Sequence, residues 1–310
     1  MNYEQFKQKV LDEFIGNLDP EFSGYVLRVN EIRKNNEKLT GVSVAPEDPS
    51  DIFAAPTFYI ESMYKEYQNC GNFSLVISNT ARIISNALKG AKPQVPAFTA
   101  RSLLDNVVLQ LISVRGNEEY IRNLPHRYFL DMAVIYRRIV SVDDHGVMSF
   151  VIDNYLAEHA DLTEDMLFDK AYSNTRVLFT PQCRDMRSIL SDMTPEYPEA
   201  NRRHEDDPTI MVITNDHKYL AATAMLYPDV FESIAKQLDS DLVILPSSVH
   251  DLIVLADEDE FDSDMLLRMV DDVNCHNVSR TEILSFNVYG YKKGDMEVTY
   301  YTDLVEKEAV

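Results

Sequence analysis

The sequence predicts an α+β fold in which a mixed, largely antiparallel sheet packs against helices. Apolar residues recur every three or four positions in several segments, which is the spacing of an amphipathic helix. Other segments are β-rich runs separated by short polar turns, which indicate hairpins. The chain has 310 residues, of which 45% are hydrophobic, with 9 Gly and 13 Pro. A chain of this length and composition is able to bury a sizeable core.

Residues 1–120 are predicted to form an N-terminal helix and hairpin region. Tyr3, Phe6 and Val10 lie at helical spacing, so the chain opens with an amphipathic helix. Two β-rich runs surround the polar segment "RKNNEK", which is typical of a hairpin. The remaining elements predicted here are a strand at "PTFYI", a helix at "ESMYKEY", and helices at about 74–88 and 101–114.

Residues 121–200 are predicted to add a strand pair and a helix that continue into the C-terminal sheet. The strands are "HRYFLDMAVIYRRIVS" and "GVMSFVIDNYLAEHA", separated by "VDDH". Thr163 is expected to cap a helix that carries Glu164 and Asp165 in its first turn, where the helix dipole favours acids. The polar segment 191–208 contains three prolines and is the best candidate for a linker or long loop.

Residues 205–310 are predicted to form an acidic C-terminal α+β module. "TIMVITND" predicts a strand, and Pro228 is expected to open a helix. "LVILPSSVHDLIVL" places two apolar runs around a Pro-Ser-Ser turn, which predicts a hairpin. The other elements predicted here are "KYLAATAMLY" as strand or loop, a helix capped by Ser263 with Met265, Leu266, Met269, Val270 and Val273 facing inward, a capping box at 279–282, and a final hairpin around Lys293 and Gly294.

The negative charge is concentrated in the C-terminal half of the chain. The net charge is −22; residues 1–150 hold 18 acids and 16 bases, whereas residues 151–310 hold 33 acids and 13 bases. A field of this sign repels phosphate backbones, so direct nucleic-acid binding is disfavoured. It suits a basic partner protein, a nucleic-acid-binding protein, or imitation of nucleic acid.

Several other classes of protein are disfavoured by the sequence. "MNYEQFKQKVLDEF" lacks the basic and apolar regions of a signal peptide, and no apolar run is long enough to span a bilayer. The three cysteines are far apart and offer neither a disulfide framework nor a metal-binding pair. We therefore expect a soluble, cytoplasmic protein with no membrane contact, metal or cofactor.

The bend after "LVIL" contains residue types that also occur in hydrolases. Ser247 and Ser248 lie close to His250 in the sequence. One interpretation is therefore a serine nucleophile with the histidine as its base. However, triad members normally converge from distant segments, and on an extended chain His250 and Asp251 point to opposite faces. The favoured interpretation is structural: the serines accept backbone hydrogen bonds in the turn, and His250 bridges to a neighbouring loop. A ligand pocket and a hydrolytic site are the two alternatives.

A run of acidic residues follows the second apolar strand of this hairpin. The residues of "ADEDEFDSD" that are candidates for binding a partner are Asp257, Glu258, Asp259, Glu260, Asp262 and Asp264. A calcium loop requires oxygen ligands at alternate positions with a central glycine, and this segment has Phe261 in a ligand position and no glycine. The simpler interpretation is a solvated loop that places negative charge at the start of the next helix.

The C-terminal motifs also carry a resemblance. Thr214 and Asn215, the small-residue run at 221–222, Tyr227, and the leucine-proline-serine-serine-x-histidine element at 245–250 resemble a bacterial family of unknown function from anaerobic gut Firmicutes, often carried on mobile elements. "MNYEQFKQKV" and "DKAYSNT" are also similar, so the resemblance covers most of the chain. Asp251 and Ala221 stand where that family often has glutamate and glycine. The resemblance gives no information about activity.

These observations support three hypotheses about function. The leading one is a non-catalytic adaptor or regulatory protein that binds another protein through its acidic C-terminal half. The second is a nucleic-acid mimic that inhibits a host defence enzyme, which requires carboxylates at phosphate-like spacing on one elongated face. The third is a hydrolase that uses Ser247 or Ser248 with His250.

Overall fold

The computed structural model describes residues 1–47, 55–90, 99–143, 146–193, 209–257 and 261–302. It confirms the α+β fold, with helices and antiparallel sheets in both parts of the chain. The contacts divide the chain into two compact units, Met1–Phe98 and Thr99–Val310. Residues 107–113 belong to the second unit, where they form a strand that pairs with residues 132–138.

The first unit combines three helices with a three-stranded antiparallel sheet in the order β1-β2-β3. Its elements are α1 (Tyr3–Glu13), β1 (Tyr25–Lys34), β2 (Glu37–Pro46), β3 (Thr57–Tyr59), α2 (Ile60–Cys70) and α3 (Phe73–Gly90). The predicted opening helix, hairpin and third strand are therefore confirmed. Its core includes Phe6 and Val10 from α1, Val42 and Val44 from β2, and Ile77 from α3.

Local sequence explains how these elements begin and turn. Asn2 caps α1: its side chain accepts a hydrogen bond from the backbone of Gln5, whose side chain accepts one from the Asn2 backbone, and this capping box satisfies two orphan donors. Asn36 has a φ of 61° at the β1–β2 turn, a conformation that asparagine tolerates better than most residues. The register pairs Lys34 with Glu37, so the hairpin turns tightly within the predicted polar segment.

The second unit begins with a four-stranded antiparallel sheet, sheet B. Strand β6 lies at its centre, with β4 on one edge and β5 and β7 sharing the other. The elements around it are α4 (Ala100–Leu104), β4 (Val107–Ser113), α5 (Glu118–Ile121), β5 (Arg127–Phe129), β6 (Met132–Asp143), β7 (Gly146–Val151), α6 (Asn154–His159) and α7 (Glu164–Leu178). The predicted strand pair is confirmed by the antiparallel β6–β7 register, although residues 154–159 form a helix.

The prediction of a helix over 101–114 is wrong beyond Leu104. Residues 107–113 form β4, and all seven are buried. A strand that is buried on both faces has a continuous apolar run, which sequence periodicity does not distinguish from a buried helix. Strand β6 pairs with one edge of β4, and the side chains of the strand pack with other elements: Val108 with Phe179 and Leu220, and Ile112 with Ile121 and Leu124.

The outer edge of β4 is covered by side chains of α7. Thr175 accepts a hydrogen bond from the backbone N–H of Leu109 at 2.8 Å, and Asn174 donates to the carbonyl of Val107 at 2.9 Å. An exposed strand edge is a template for unwanted pairing, and a helix lying over it removes that hazard.

The predicted Thr163 cap of α7 is confirmed, because the Thr163 side chain accepts a hydrogen bond from the backbone N–H of Met166.

The remaining strands form a six-stranded antiparallel sheet, sheet C, in the order β13-β12-β10-β11-β9-β8. The elements are β8 (Gln182–Asp185), α8 (Met186–Met193), β9 (Ile210–Thr214), α9 (Pro228–Leu238), β10 (Leu242–Leu245), β11 (Leu252–Ala256), α10 (Ser263–His276), β12 (Tyr289–Tyr291) and β13 (Thr299–Tyr300). The hairpin predicted for "LVILPSSVHDLIVL" is confirmed by the β10–β11 register, and the final hairpin by β12–β13. The segment 221–226 is a 3-10 helix rather than a strand. Most of the predicted linker, 194–208, lies outside the described residues.

Sheet C is covered on both faces. Val243 and Leu245 of β10 pack with Leu266 and Val270 of α10. Leu242 lies on the opposite face, since side chains alternate along a strand. Its cross-strand partner is Tyr291, which contacts Phe231 of α9 at a ring-centroid distance of 5.9 Å. The sheet is therefore enclosed between α10 on one side and α9 on the other.

Helix α10 differs from the prediction in its N-cap residue and in the side chains that it buries. Its N-cap is Asp262 rather than Ser263, and the Asp262 side chain accepts from the backbone of Asp264. Three of the five side chains predicted to face inward are substantially exposed: Met265 by 41%, Met269 by 48% and Val273 by 40%. Compared with the predicted orientation, the helix is rotated about its axis so that Asn274 is buried. The amide of Asn274 donates to the carbonyl of Ser285 at 2.8 Å.

Among the described residues, none of the helices combines the length and apolar content needed to cross a bilayer.

Candidate functional site

The serine-serine-x-histidine bend between β10 and β11 is held by local hydrogen bonds. The hydroxyl of Ser248 accepts from the backbone N–H of His250 at 2.9 Å, and the N–H of Ser248 donates to the carbonyl of Asp251 at 3.1 Å. The backbone N–H of Val249 donates to the carbonyl of Glu282 at 2.9 Å. Such side chain-to-backbone bonds are typical of turns that serine stabilises.

His250 connects the bend to the loop that follows β9. Its Nδ1 accepts the backbone N–H of Leu220 at 3.1 Å, so this nitrogen is unprotonated and the neutral ring carries its proton on Nε2. The ring stacks on Tyr219 with centroids 5.6 Å apart. Burial lowers the pKa of His250, although the nearby carboxylates of Asp251 and Glu282 act in the opposite direction. The imidazole is therefore held neutral in a structural contact.

The loop that receives His250 has an unusual backbone. Lys218 and Leu220 both have positive φ, 49° and 54°, a left-handed conformation that costs on the order of 1 kcal/mol for residues other than glycine. The side chain of Asn215 compensates by accepting from the backbone of His217 and Tyr219 and donating to the carbonyl of Tyr219. Asn215 and His250 together therefore fix the loop from its two sides.

Tyr219, between the two left-handed residues, leads into a polar network on sheet B. Its hydroxyl lies 2.7 Å from that of Ser149 on β7. Arg137 on β6 donates from Nε to the Ser149 hydroxyl at 2.9 Å and from Nη1 to Gln110 on β4 at 3.2 Å. The chain of contacts links sheet B to the His250 bend. The residues of this network were not found from the sequence, because isolated polar residues on three strands carry no spacing signal.

The predicted site residues do not form a nucleophile–base pair. Within the described chain, neither Ser247 nor Ser248 has its hydroxyl within hydrogen-bond distance of the His250 ring, and the acceptor nitrogen of that ring is occupied by a backbone N–H. A serine hydrolase requires the hydroxyl to be bonded to the base. The contacts of Ser248 and His250 are instead those that a structural role requires.

Replacing His250 by alanine is expected to lower the free energy of unfolding by about 2 kcal/mol, because the buried N–H of Leu220 loses its acceptor and Tyr219 loses its stacking partner. His250→Asn retains an acceptor close to Nδ1 and should cost less. Urea unfolding of the full chain at about pH 8, followed by circular dichroism, measures both. Equal stability of His250→Ala and the parent would contradict the structural role.

The same variants are expected to differ in their response to acid. Since the folded chain holds the pKa of His250 below its ordinary value, the unfolded chain binds the proton more readily. The contribution of His250 to the free energy of unfolding of the parent therefore falls as the pH drops below about 6.5. The difference between the parent and His250→Ala should accordingly shrink on acidification, and a difference that grows would contradict the assignment of a neutral ring.

The predicted acidic binding residues are only partly within the described chain, since Glu258, Asp259 and Glu260 lie outside it. Asp257 accepts a hydrogen bond from the hydroxyl of Tyr301 at 2.9 Å, and Asp262 caps α10. Asp264 lies exposed in the first turn of α10, where it is favoured by the helix dipole. In the part of the chain that the structure describes, no group of three or more histidine, cysteine or acidic side chains is arranged to hold a metal ion.

The comparisons with known proteins give a family and no activity. No curated protein and no solved structure matches the chain. One family model matches residues 3–293, and therefore spans both compact units. Because this match covers nearly the whole sequence, the chain belongs to DUF5688, a family of unknown function.

Proposed function

We propose that this protein is a non-catalytic adaptor or regulatory factor that binds a basic protein, or the basic surface of a nucleic-acid-binding protein, through its acidic second unit. A cytoplasmic location and an origin on mobile elements of gut Firmicutes belong to the same proposal. The observation that carries it is the distribution of charge between the two compact units. Residues 1–98 hold 12 acids and 10 bases, whereas residues 99–310 hold 39 acids and 19 bases.

An excess of carboxylates confined to one unit is favourable for recognition. Net charge is a statement about solubility and association rather than about fold, and a strongly negative surface speeds the encounter with a positive partner. A solubility requirement alone would not restrict the excess to one unit. The contacts of His250 and Ser248 described above favour binding over hydrolysis, because the residues that suggested catalysis are engaged in holding a turn and a loop.

The test compares the parent with a variant that lacks four acids of the predicted binding segment, namely Glu258→Gln, Asp259→Asn, Glu260→Gln and Asp264→Asn. Asp257 and Asp262 are kept because they bond Tyr301 and cap α10. The matched control removes four exposed acids of the first unit, namely Glu4→Gln, Asp12→Asn, Glu13→Gln and Glu66→Gln.

Each protein is immobilised and used to capture partners at low salt, and the captured proteins are purified and their affinities measured. We expect the parent and the first-unit control to bind the same basic partner, and the second-unit variant to bind it about tenfold more weakly. Recovery of no partner, or equal affinity of all three proteins, would contradict the proposal. If the captured partner is a nuclease and the protein competes with DNA for it through an elongated acidic face, the adaptor hypothesis would be replaced by nucleic-acid mimicry.

A further inference from the structure

Helix α10 carries an exposed apolar line on the surface of the acidic unit. Met265, Met269 and Val273 follow one another at intervals of four residues, which places them on one side of the helix. Each is between 40% and 48% exposed. The helix is already anchored by the neighbouring positions Leu266 and Val270, which are buried against sheet C. The apolar line is therefore additional to the contacts that hold α10 in place.

One acidic side chain borders this apolar line directly. Asp272 is adjacent to Met265 on the helix surface, and its carboxylate lies 3.2 Å from Nδ1 of His276. Asp264 and Asp271 lie about 100° or more around the helix from Met265, beyond Arg268. Arg268, the one Lys or Arg in the sequence of α10, has its guanidinium 3.8 Å from the carboxylate of Asp262. The exposed side of α10 consequently combines an apolar line with more acidic than basic side chains.

This combination identifies the chemistry of the occupant. A helix with apolar residues at intervals of three and four, flanked by lysine or arginine, matches an apolar line on a unit that holds 39 acids and 19 bases. Methionine is flexible and polarisable, so its side chain adapts to different apolar partners. A second copy of this chain is disfavoured, since it would bring together two units that each hold 39 acids and 19 bases.

We propose that the Met265–Met269–Val273 line, here called the α10 ridge, is the docking surface for a basic amphipathic helix of a partner protein. This inference rests on the proposed function and names the surface and the partner element that it uses. The ridge supplies the apolar contact, and Asp272 with the other acids of the unit attracts the basic flanks of the incoming helix.

The probe is a synthetic amphipathic helix of leucine and lysine, with a scrambled peptide of identical composition as its control. Titration calorimetry measures the affinity of each peptide for the full chain. The ridge variant is Met265→Gln, Met269→Gln and Val273→Thr, which nearly preserves side-chain size and leaves the charge unchanged. The matched control is Leu75→Gln with Ile83→Gln on α3, where the side chains are 48% and 59% exposed.

We expect the ridge variant to bind the amphipathic peptide about tenfold more weakly than the parent, and the α3 control to bind within about twofold of it. Amide hydrogen exchange of the parent should show protection of 263–276 on binding. Circular dichroism confirms that both variants are folded.

Two results separate this inference from the proposed function. If the ridge variant binds as the parent does, or if both peptides bind equally, the α10 ridge is not the docking surface. The proposed function still holds in that case if removal of the four acids of the second unit weakens binding of the captured partner. If neither change affects any binding, both are overturned.

Discussion

Raising the pH above about 10.5 is expected to destabilise the second unit by at least about 4 kcal/mol per pH unit, because buried tyrosines, three of them above all, resist ionisation. Tyr136, Tyr227 and Tyr289 are fully buried. Burial is the main cause that raises the pKa of each of them, and the carboxylates of Glu164 and Asp131 add to it for Tyr136 and Tyr289. In the unfolded chain the same hydroxyls lose their protons near pH 10.

The sign follows from the number of protons bound in each state. At alkaline pH the folded chain retains at least these three protons, which the unfolded chain releases, so the free energy of unfolding falls as the pH rises. Each tyrosine contributes about 1.4 kcal/mol per pH unit once the pH exceeds its unfolded pKa.

Urea unfolding of the full chain at intervals between about pH 9 and pH 12 measures the slope. Tyr289→Phe should make the slope shallower by about 1.4 kcal/mol per pH unit, whereas Tyr155→Phe, at a side chain that is 68% exposed, should leave it unchanged. A slope that is the same in the parent and Tyr289→Phe would show that this hydroxyl ionises in the folded chain.

Replacing Asp131 by alanine is expected to lower the free energy of unfolding by about 3 kcal/mol. Asp131 lies in the turn between β5 and β6, and its carboxylate accepts hydrogen bonds from Ser285 at 2.7 Å, from Asn287 at 3.0 Å and from the hydroxyl of Tyr289. Ser285 and Tyr289 are almost completely buried. Alanine would leave these donors without their acceptor, and an unsatisfied buried donor is more costly than a lost surface contact.

Asp131→Asn should have an intermediate effect, since one of its two oxygens is replaced by an amide that donates. Asp169→Ala is the matched control, because Asp169 lies exposed on α7. Urea unfolding followed by circular dichroism measures all three variants. A loss below about 1 kcal/mol for Asp131→Ala would show that the three contacts between sheet B and the β12 region contribute little to stability.

The parts of the fold that could be predicted from the sequence are those with a strong local pattern. The β10–β11 hairpin was identified because two apolar runs flank a Pro-Ser-Ser turn, and its register pairs Leu242 with Ala256. The α7 helix was identified from Thr163 and the acids that follow it. In both segments, turn chemistry and apolar spacing favour the same local structure, which makes the prediction robust.

The errors arise where tertiary contacts decide between two acceptable patterns. Residues 107–113 have an apolar run that fits a helix or a strand, and pairing with β6 makes them a strand. On α10 the five apolar positions form a broad face, and the bond from Asn274 to Ser285 rotates the helix so that only part of that face is buried. The sequence contains no signal for this rotation.

The candidate site shows the same limit. A structural contact for His250 could be anticipated from the crowding of Ser248, His250 and Asp251 within a few residues. Its partner Leu220 could not, because the contact spans 30 positions and uses a backbone N–H, which leaves no trace in residue identity. The network through Arg137 and Ser149 is hidden for the same reason.

The measurement that tests the central claim most directly is the salt dependence of affinity for the captured basic partner. Calorimetric titrations of the parent and of the second-unit variant that lacks four acids are repeated across a series of salt concentrations. Binding through the acidic unit predicts that affinity falls steeply with salt for the parent and less steeply for the variant. An affinity that is independent of salt, or slopes that are equal for the two proteins, would contradict recognition by the acidic unit.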